Sequence, residues 1–238
     1  MRERASCPRE IENAVDALSA GEMVLLYDYD HRERETDLVM AAEFVTSNHI
    51  FQLRRDAGGL ICVAIDPKAC SILGIPYIVD VLRCAADSGN GFGAIESICE
   101  RAGDIPYDAK SSFSLWVNHR KTFTGITDND RSLTITRLAE ATKQSLSGNY
   151  VNFGAEFRSP GHVPLLRAAP NLLKDRKGQT ELSIVLAKAA KVVPAMVMCE
   201  MLDGRTGQAL SKERAIKYAK KNKLAFIEGK EVEGLLRP

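Results

Sequence analysis

The stretch MVLLYDYDHRERETDLVMAA, Met23 to Ala42, decides how this chain is read. Met23 to Tyr27 is a continuous apolar run that predicts a buried strand, and Leu38 to Ala42 resumes the apolar pattern as a second strand. Between them Asp28, Asp30, Glu33, Glu35 and Asp37 make a segment too charged to be core. Crowded carboxylates repel one another unless a cation or a partner offsets them, and Arg32 and Arg34 offset only part of that charge. Hard cations such as magnesium take oxygen ligands from one or two carboxylates and keep sites for substrate and water. Remaining carboxylates can shuttle protons. A bare charge run is also what a solvated turn looks like.

Outward from this hairpin, helices and strands alternate without forming regular βαβ units. A helix is predicted after Pro8, with Ile11, Val15 and Leu18 on its inner face and Gly21 at its end. Thr46 reads as an N-cap and Asn48 to Ala57 as a short helix stopped by Gly58-Gly59. Leu60 to Ile65 is a buried strand, and Pro67 opens another short helix. Residues 86 to 111 are rich in Gly, Asp and Ser and read as an insertion or mobile loop with a helix at Ala94 to Arg101. Then follow a strand at Phe113 to Asn118, a helix at Ser132 to Thr142, a long loop from Ser145 to Gly161, and a strand at Val163 to Ala168. A helix at Glu181 to Ala190, a strand at Ala195 to Leu202, a helix at Lys212 to Lys221 and a strand at Leu224 to Ile227 complete the chain. This pattern predicts an α+β fold, a mixed β-sheet surrounded by helices in one compact domain over residues 1 to 238.

Composition narrows the function. The 238 residues are 45% hydrophobic, enough for a sizeable core. A net charge of +1 gives no field that would draw nucleic acid or an anionic membrane. No apolar run reaches the roughly 20 residues that span a bilayer, and the start MRERASCPRE is too polar for a signal peptide. The expectation is a cytoplasmic protein. The six cysteines, Cys7, Cys62, Cys70, Cys84, Cys99 and Cys199, form no C-x-x-C pair and read as reduced, mostly buried thiols.

Four further motifs could carry chemistry. RSPGH (Arg158 to His162) could present an imidazole at the mouth of a sheet, although a lone loop histidine is more often structural. Arg176-Lys177-Gly178-Gln179-Thr180 sets two cations, a glycine and a hydroxyl before a helix, which suits a phosphate, with Thr180 equally suited to be the N-cap. Cys199-Glu200 ends a buried strand with a carboxylate that is either functional or already in solvent. In Thr122-Phe123-Thr124-Gly125 the hydroxyls could meet a phosphate.

The order and wording of these segments closely resemble 3,4-dihydroxy-2-butanone 4-phosphate synthase of the riboflavin pathway, in its archaeal single-function form. The resemblance rests on R-E-x-E-x-D (Arg32, Glu33, Glu35, Asp37), GGLIC (Gly58 to Cys62), TFTGITDNDR (Thr122 to Arg131), RSPGH, R-x-G-x-T-E (Arg176 to Glu181) and Cys199-Glu200. It implies conversion of ribulose 5-phosphate to 3,4-dihydroxy-2-butanone 4-phosphate and formate. It also implies magnesium or manganese, and a homodimer with active sites at the subunit interface. Carried over by position, it makes Glu33 a metal ligand and places Arg32, Asp37, Arg176, Lys177, Gly178, Gln179 and Thr180 on the substrate. It makes His162 and Glu200 essential and sets Asp28, Glu35, Cys62 and Thr124 at further active-site positions. The family's second metal ligand is a histidine where this chain has Gln179. An amide oxygen can bind a hard cation but is no imidazole. A second reading is therefore a variant that binds metal and sugar phosphate but catalyses poorly. A third is another sugar-phosphate enzyme, an isomerase or aldolase.

Overall fold

The structure, a computed structural model, describes residues 9–88 and 93–236. Cys7, the Pro8 helix signal and residues 89–92 of the expected insertion lie outside the described residues.

In chain order the elements are α1 (Arg9–Ser19), β1 (Val24–Tyr27), β2 (Thr36–Ala41), α2 (Ser47–Gln52), β3 (Cys62–Ile65), α3 (Pro67–Leu73), α4 (Ile78–Asp87), α5 (Gly93–Ile98), β4 (Phe113–His119), α6 (Asp128–Leu146), α7 (Phe153–Glu156), β5 (Phe157–Arg167), α8 (Gln179–Ala189), β6 (Ala195–Glu200), a small β7 (Leu202–Asp203) and β8 (Gln208–Ala209) hairpin, α9 (Lys212–Asn222), β9 (Ala225–Glu228) and α10 (Gly229–Val232). Seven strands form one mixed sheet in the order β4-β5-β3-β6-β2-β1-β9. The β3–β5 and β1–β9 pairs are parallel and the others antiparallel.

Both faces of this sheet are buried, which is why its central strands are apolar at every position rather than at alternate ones. Leu38, Met40, Val63, Ile65, Val197 and Cys199 enter one core with residues of α2, α3, α6 and α9. Their sequence neighbours Val39, Ala41, Cys62, Ala64, Met196 and Met198 enter a second core under α1, α8 and α10. The mixed sheet between helices is the α+β architecture the sequence implied.

Four expectations change. The acidic segment is not all exposed: β2 begins inside it, and Asp28, Thr36 and Asp37 are buried. The span read as a long loop contains α7 and the first half of β5. Pro160 and Gly161 disguise that strand, which is held by Phe157, stacked on Phe153 with ring centroids 4.5 Å apart. Its pairing with β4 shifts register between Val117 and Asn118 to absorb the irregularity. Third, α8 starts two residues earlier than expected, at Gln179: Gly178, not Thr180, is its N-cap, and Thr180 sits in its first turn. Helix α6 is likewise longer than its apolar pattern suggests, because Thr127 caps it by accepting from the Asp130 amide. Among the described residues, no single helix is long and apolar enough to cross a membrane.

Candidate functional site

The acidic segment folds back on itself around Asp28. Its carboxylate accepts hydrogen bonds from the amides of Glu33 (2.9 Å) and Glu35 (3.0 Å), and Arg34 closes the turn with a φ of 60°, in the left-handed region. Asp28 therefore organises the turn and does not face the cavity beside it. Strand β2 then carries Asp37 opposite Glu200 of β6. Gly58, with a φ of 89°, ends the turn after α2. Gly59 follows because a side chain there would strike the carboxylate of Glu200 and, at 2.6 Å, its main-chain oxygen. That close approach lets the Leu60 amide donate to Glu200 Oε2 at 2.7 Å.

A cavity opens at this end of the sheet. Asp37, Cys62, Met198 and Glu200 line it from the strands, Glu33 from the turn between β1 and β2, Arg176 from the segment before α8, and Gln179 and Thr180 from the first turn of α8. Phe113 of β4 and Leu166 of β5 line it too, and the remaining wall comes from Ile105, Tyr107, Asp108, Ser111 and Ser112. These five lie in or beside the stretch read as an insertion, and the sequence reading missed them. The signal available was the polar run Asp108 to Ser112 directly before a strand.

Electrostatics set the chemistry of the cavity. Burial, and then the Glu200 and Glu35 carboxylates, push Asp37 well above the ordinary carboxylate range. One of its oxygens, and the Thr36 hydroxyl, have no hydrogen-bond partner among the described residues. Burial, followed by Glu33, Glu200 and Asp28, raises Glu35 to about 7. Burial also raises Glu33, partly offset by Arg32, and holds Cys62 firmly as a thiol. Gln179 is buried and donates its amide to the main-chain oxygen of Glu35 at 3.1 Å. The hydroxyls of Ser112 and Thr180 are 3.1 Å apart.

The cations form a chain. Arg32 pairs with Glu33 at 2.8 Å and with Asp108. Arg176 pairs with the same Asp108 at 2.7 Å and with buried Glu181 at 2.8 Å. The Arg176 guanidinium lies over Gly178, in the space a Cβ there would enter. Lys177 turns elsewhere, is half exposed and pairs with Glu233 at 3.0 Å.

His162 and Thr124 are not among the residues lining the cavity. They share a second corner, on β5 and on the turn after β4. Asn118 braces the histidine: its side-chain oxygen accepts from the His162 amide at 2.8 Å, and its NH2 donates to Nδ1 at 3.1 Å. Nε2 therefore carries the proton of the neutral ring. Asp130 holds the turn by accepting from the amides of Gly125 (2.8 Å) and Thr124 (3.1 Å). Sequence reasoning passed over both Asn118 and Asp130. The ring of His162 is exposed, and next to Thr124 in the turn the side chain of Phe123 is 95% exposed.

Paired carboxylates shifted toward neutrality beside fixed guanidiniums define an acid–base enzyme for a small anionic substrate. Comparison with known proteins makes this particular. Residues 12–234 match the 3,4-dihydroxy-2-butanone 4-phosphate synthase family. A relative of that name from Methanosarcina mazei is 54% identical over 93% of this chain and 89% of its own. The crystal structure of the Candida albicans synthase superposes with a TM-score of 0.73 at 27% identity, covering 96% of this chain and 97% of that one. Another solved synthase, in complex with two magnesium ions, has a TM-score of 0.70 at 25% identity over 93% of each chain. The chain belongs to this family of riboflavin-biosynthesis enzymes.

Proposed function

We propose that the protein converts D-ribulose 5-phosphate to 3,4-dihydroxy-2-butanone 4-phosphate and formate in the cytoplasm. We further propose that it needs Mg2+ or Mn2+ and works as a homodimer with shared active sites. The observation that carries this reading is one cavity in which Glu33, Asp37 and Glu200 stand beside Arg176 and Thr180. It offers proton-transfer groups and an anion clamp to a single small molecule.

The residues fit a hard divalent cation. Glu33, Glu35 and Asp37 are all pushed upward, first by burial and then by neighbouring carboxylates, and Asp37 keeps a buried oxygen without a partner among the described residues. A cation relieves both penalties. Glu33 and the amide oxygen of Gln179 would hold it. Among the described residues, no three His, Cys, Asp or Glu side chains form a ready cage. That agrees with an ion bound by one or two protein ligands plus substrate and water. Bound there, the cation would polarise neighbouring sugar oxygens.

The chain's own groups supply the rest. Arg176 and Thr180 seat the phosphate, with Arg32 beside them, so that remote binding energy positions the reacting carbons. Asp37, buried opposite Glu200, hydrogen-bonds a sugar hydroxyl and orients it. Glu200, fixed by the Leu60 amide, takes and returns the carbon-bound proton. Glu35, poised near neutrality, exchanges protons with it, and Cys62 is a neutral wall. His162 acts from the partner subunit, with Nε2 as its working nitrogen. The exposed ring and the exposed Phe123 beside Thr124 support an interface at that corner.

Metal-stripped protein incubated with ribulose 5-phosphate should release formate only after magnesium is added. Substrate binding without formate would overturn the reading in favour of a catalytically impaired binder, and Gln179→His would then show whether that position is the cause. A product that keeps all five carbons would make the protein an isomerase instead.

A further inference from the structure

Asp108 holds the two cations that the proposed function assigns to the substrate. Its Oδ2 pairs with Nη2 of Arg32 and, at 2.7 Å, with Nη2 of Arg176. The other anchors of the same guanidiniums are fixed: Glu181 on Arg176 and Asp28 on Arg32 are both 0% exposed in their side chains. Asp108 is held differently. The stretch Ile105–Lys110 that carries it lies in no helix or strand, and the carboxylate is held by its ion pairs, with Tyr107 packed against Arg32 beside it.

We propose that Asp108 is a resident anion in the phosphate seat, exchanged for the substrate's phosphate on binding. It makes Asp108 a specificity-determining residue. While it is seated, Nη2 of both arginines is neutralised, so a neutral sugar gains nothing by displacing it. A phosphate monoester dianion brings more charge and a third terminal oxygen. Nε of Arg176 is buried without a hydrogen-bond partner among the described residues, a donor that a two-oxygen carboxylate leaves unmet and a phosphate can take. The exchange also withdraws the Ile105–Ser112 wall from the cavity it lines, coupling phosphate binding to opening of the site.

The inference rests on the reading of Arg176 as a phosphate ligand, and the two are separable. Inorganic phosphate is titrated calorimetrically into the full-length protein in chloride buffer with magnesium, for wild type, Asp108→Asn, Asp108→Ser and Arg176→Gln. If Asp108 occupies the seat nine times in ten, removing its charge tightens phosphate binding by about tenfold. Unchanged or weaker binding in folded Asp108 variants, with binding lost in Arg176→Gln, overturns the exchange and leaves the phosphate seat standing. Unchanged binding in Arg176→Gln overturns both. Should the Asp108 variants not fold, a structure of wild type with phosphate decides: Asp108 away from Arg176 supports the exchange, and Asp108 still paired with it overturns it.

Discussion

The cavity end of the sheet and the His162 corner are built in opposite ways. At the cavity end, charged groups are packed against glycines and driven out of their ordinary titration range by burial and then by one another. At the corner, the histidine is exposed and, among the described residues, its hydrogen bonds are to the side chain of a single asparagine. The first region holds strain that a cation and an anion would relieve. The second is a finished reagent without a substrate. The difference teaches that burial tunes pKa where a site must hold charge, whereas a group supplied to another site needs only orientation.

Changes at each region should separate binding from chemistry. The largest effect is expected from His162→Ala, with turnover falling by about 10²–10⁴-fold. Thermal stability and magnesium binding should stay as in wild type because the ring is exposed. A matching loss of stability would mean that the corner is structural after all. Gly59→Ala should act oppositely. The new methyl strikes Glu200, and unfolding titrations should show a loss of about 2 kcal/mol. Asn118→Ala frees the imidazole without removing it, so kcat should fall by about tenfold with KM little changed.

The smallest effect is a pH dependence. Glu35 titrates at about 7 in the folded protein, far above an unfolded glutamate. Between those values the folded state holds the extra proton. Metal-free protein should therefore lose stability as pH rises from the usual carboxylate range through about 7. Glu35→Gln should flatten that slope, measured by thermal melts across the window. A slope left intact would move the titration to another carboxylate of the cluster.

How much of this was legible beforehand follows the kind of contact involved. Strands β1, β3 and β6 announce themselves as apolar runs because both sheet faces are covered. Glu33, Asp37, Arg176 and Glu200 stand in the quoted motifs, and the fold does gather them. Asp108 was hidden, because its partners Arg32 and Arg176 are distant in sequence and its own neighbourhood reads as loop. The first half of β5 was hidden by Pro160 and Gly161, which break the period-2 signal although Phe157 is buried. Asn118 and Asp130 were hidden because their roles are hydrogen bonds to other residues' amides, which no spacing reveals.

If each active site joins the cavity of one protomer to the corner of another, subunit mixing reveals it directly. Glu33→Ala damages only the cavity and His162→Ala only the corner, so each homodimer should be inactive. Unfolded together and refolded, equal amounts form mixed dimers in which one site carries both substitutions and the other neither. Formate release should then recover to about a quarter of the wild-type rate, as random pairing in a two-fold dimer requires. No recovery, with mixed dimers shown to have formed, would contradict the shared site.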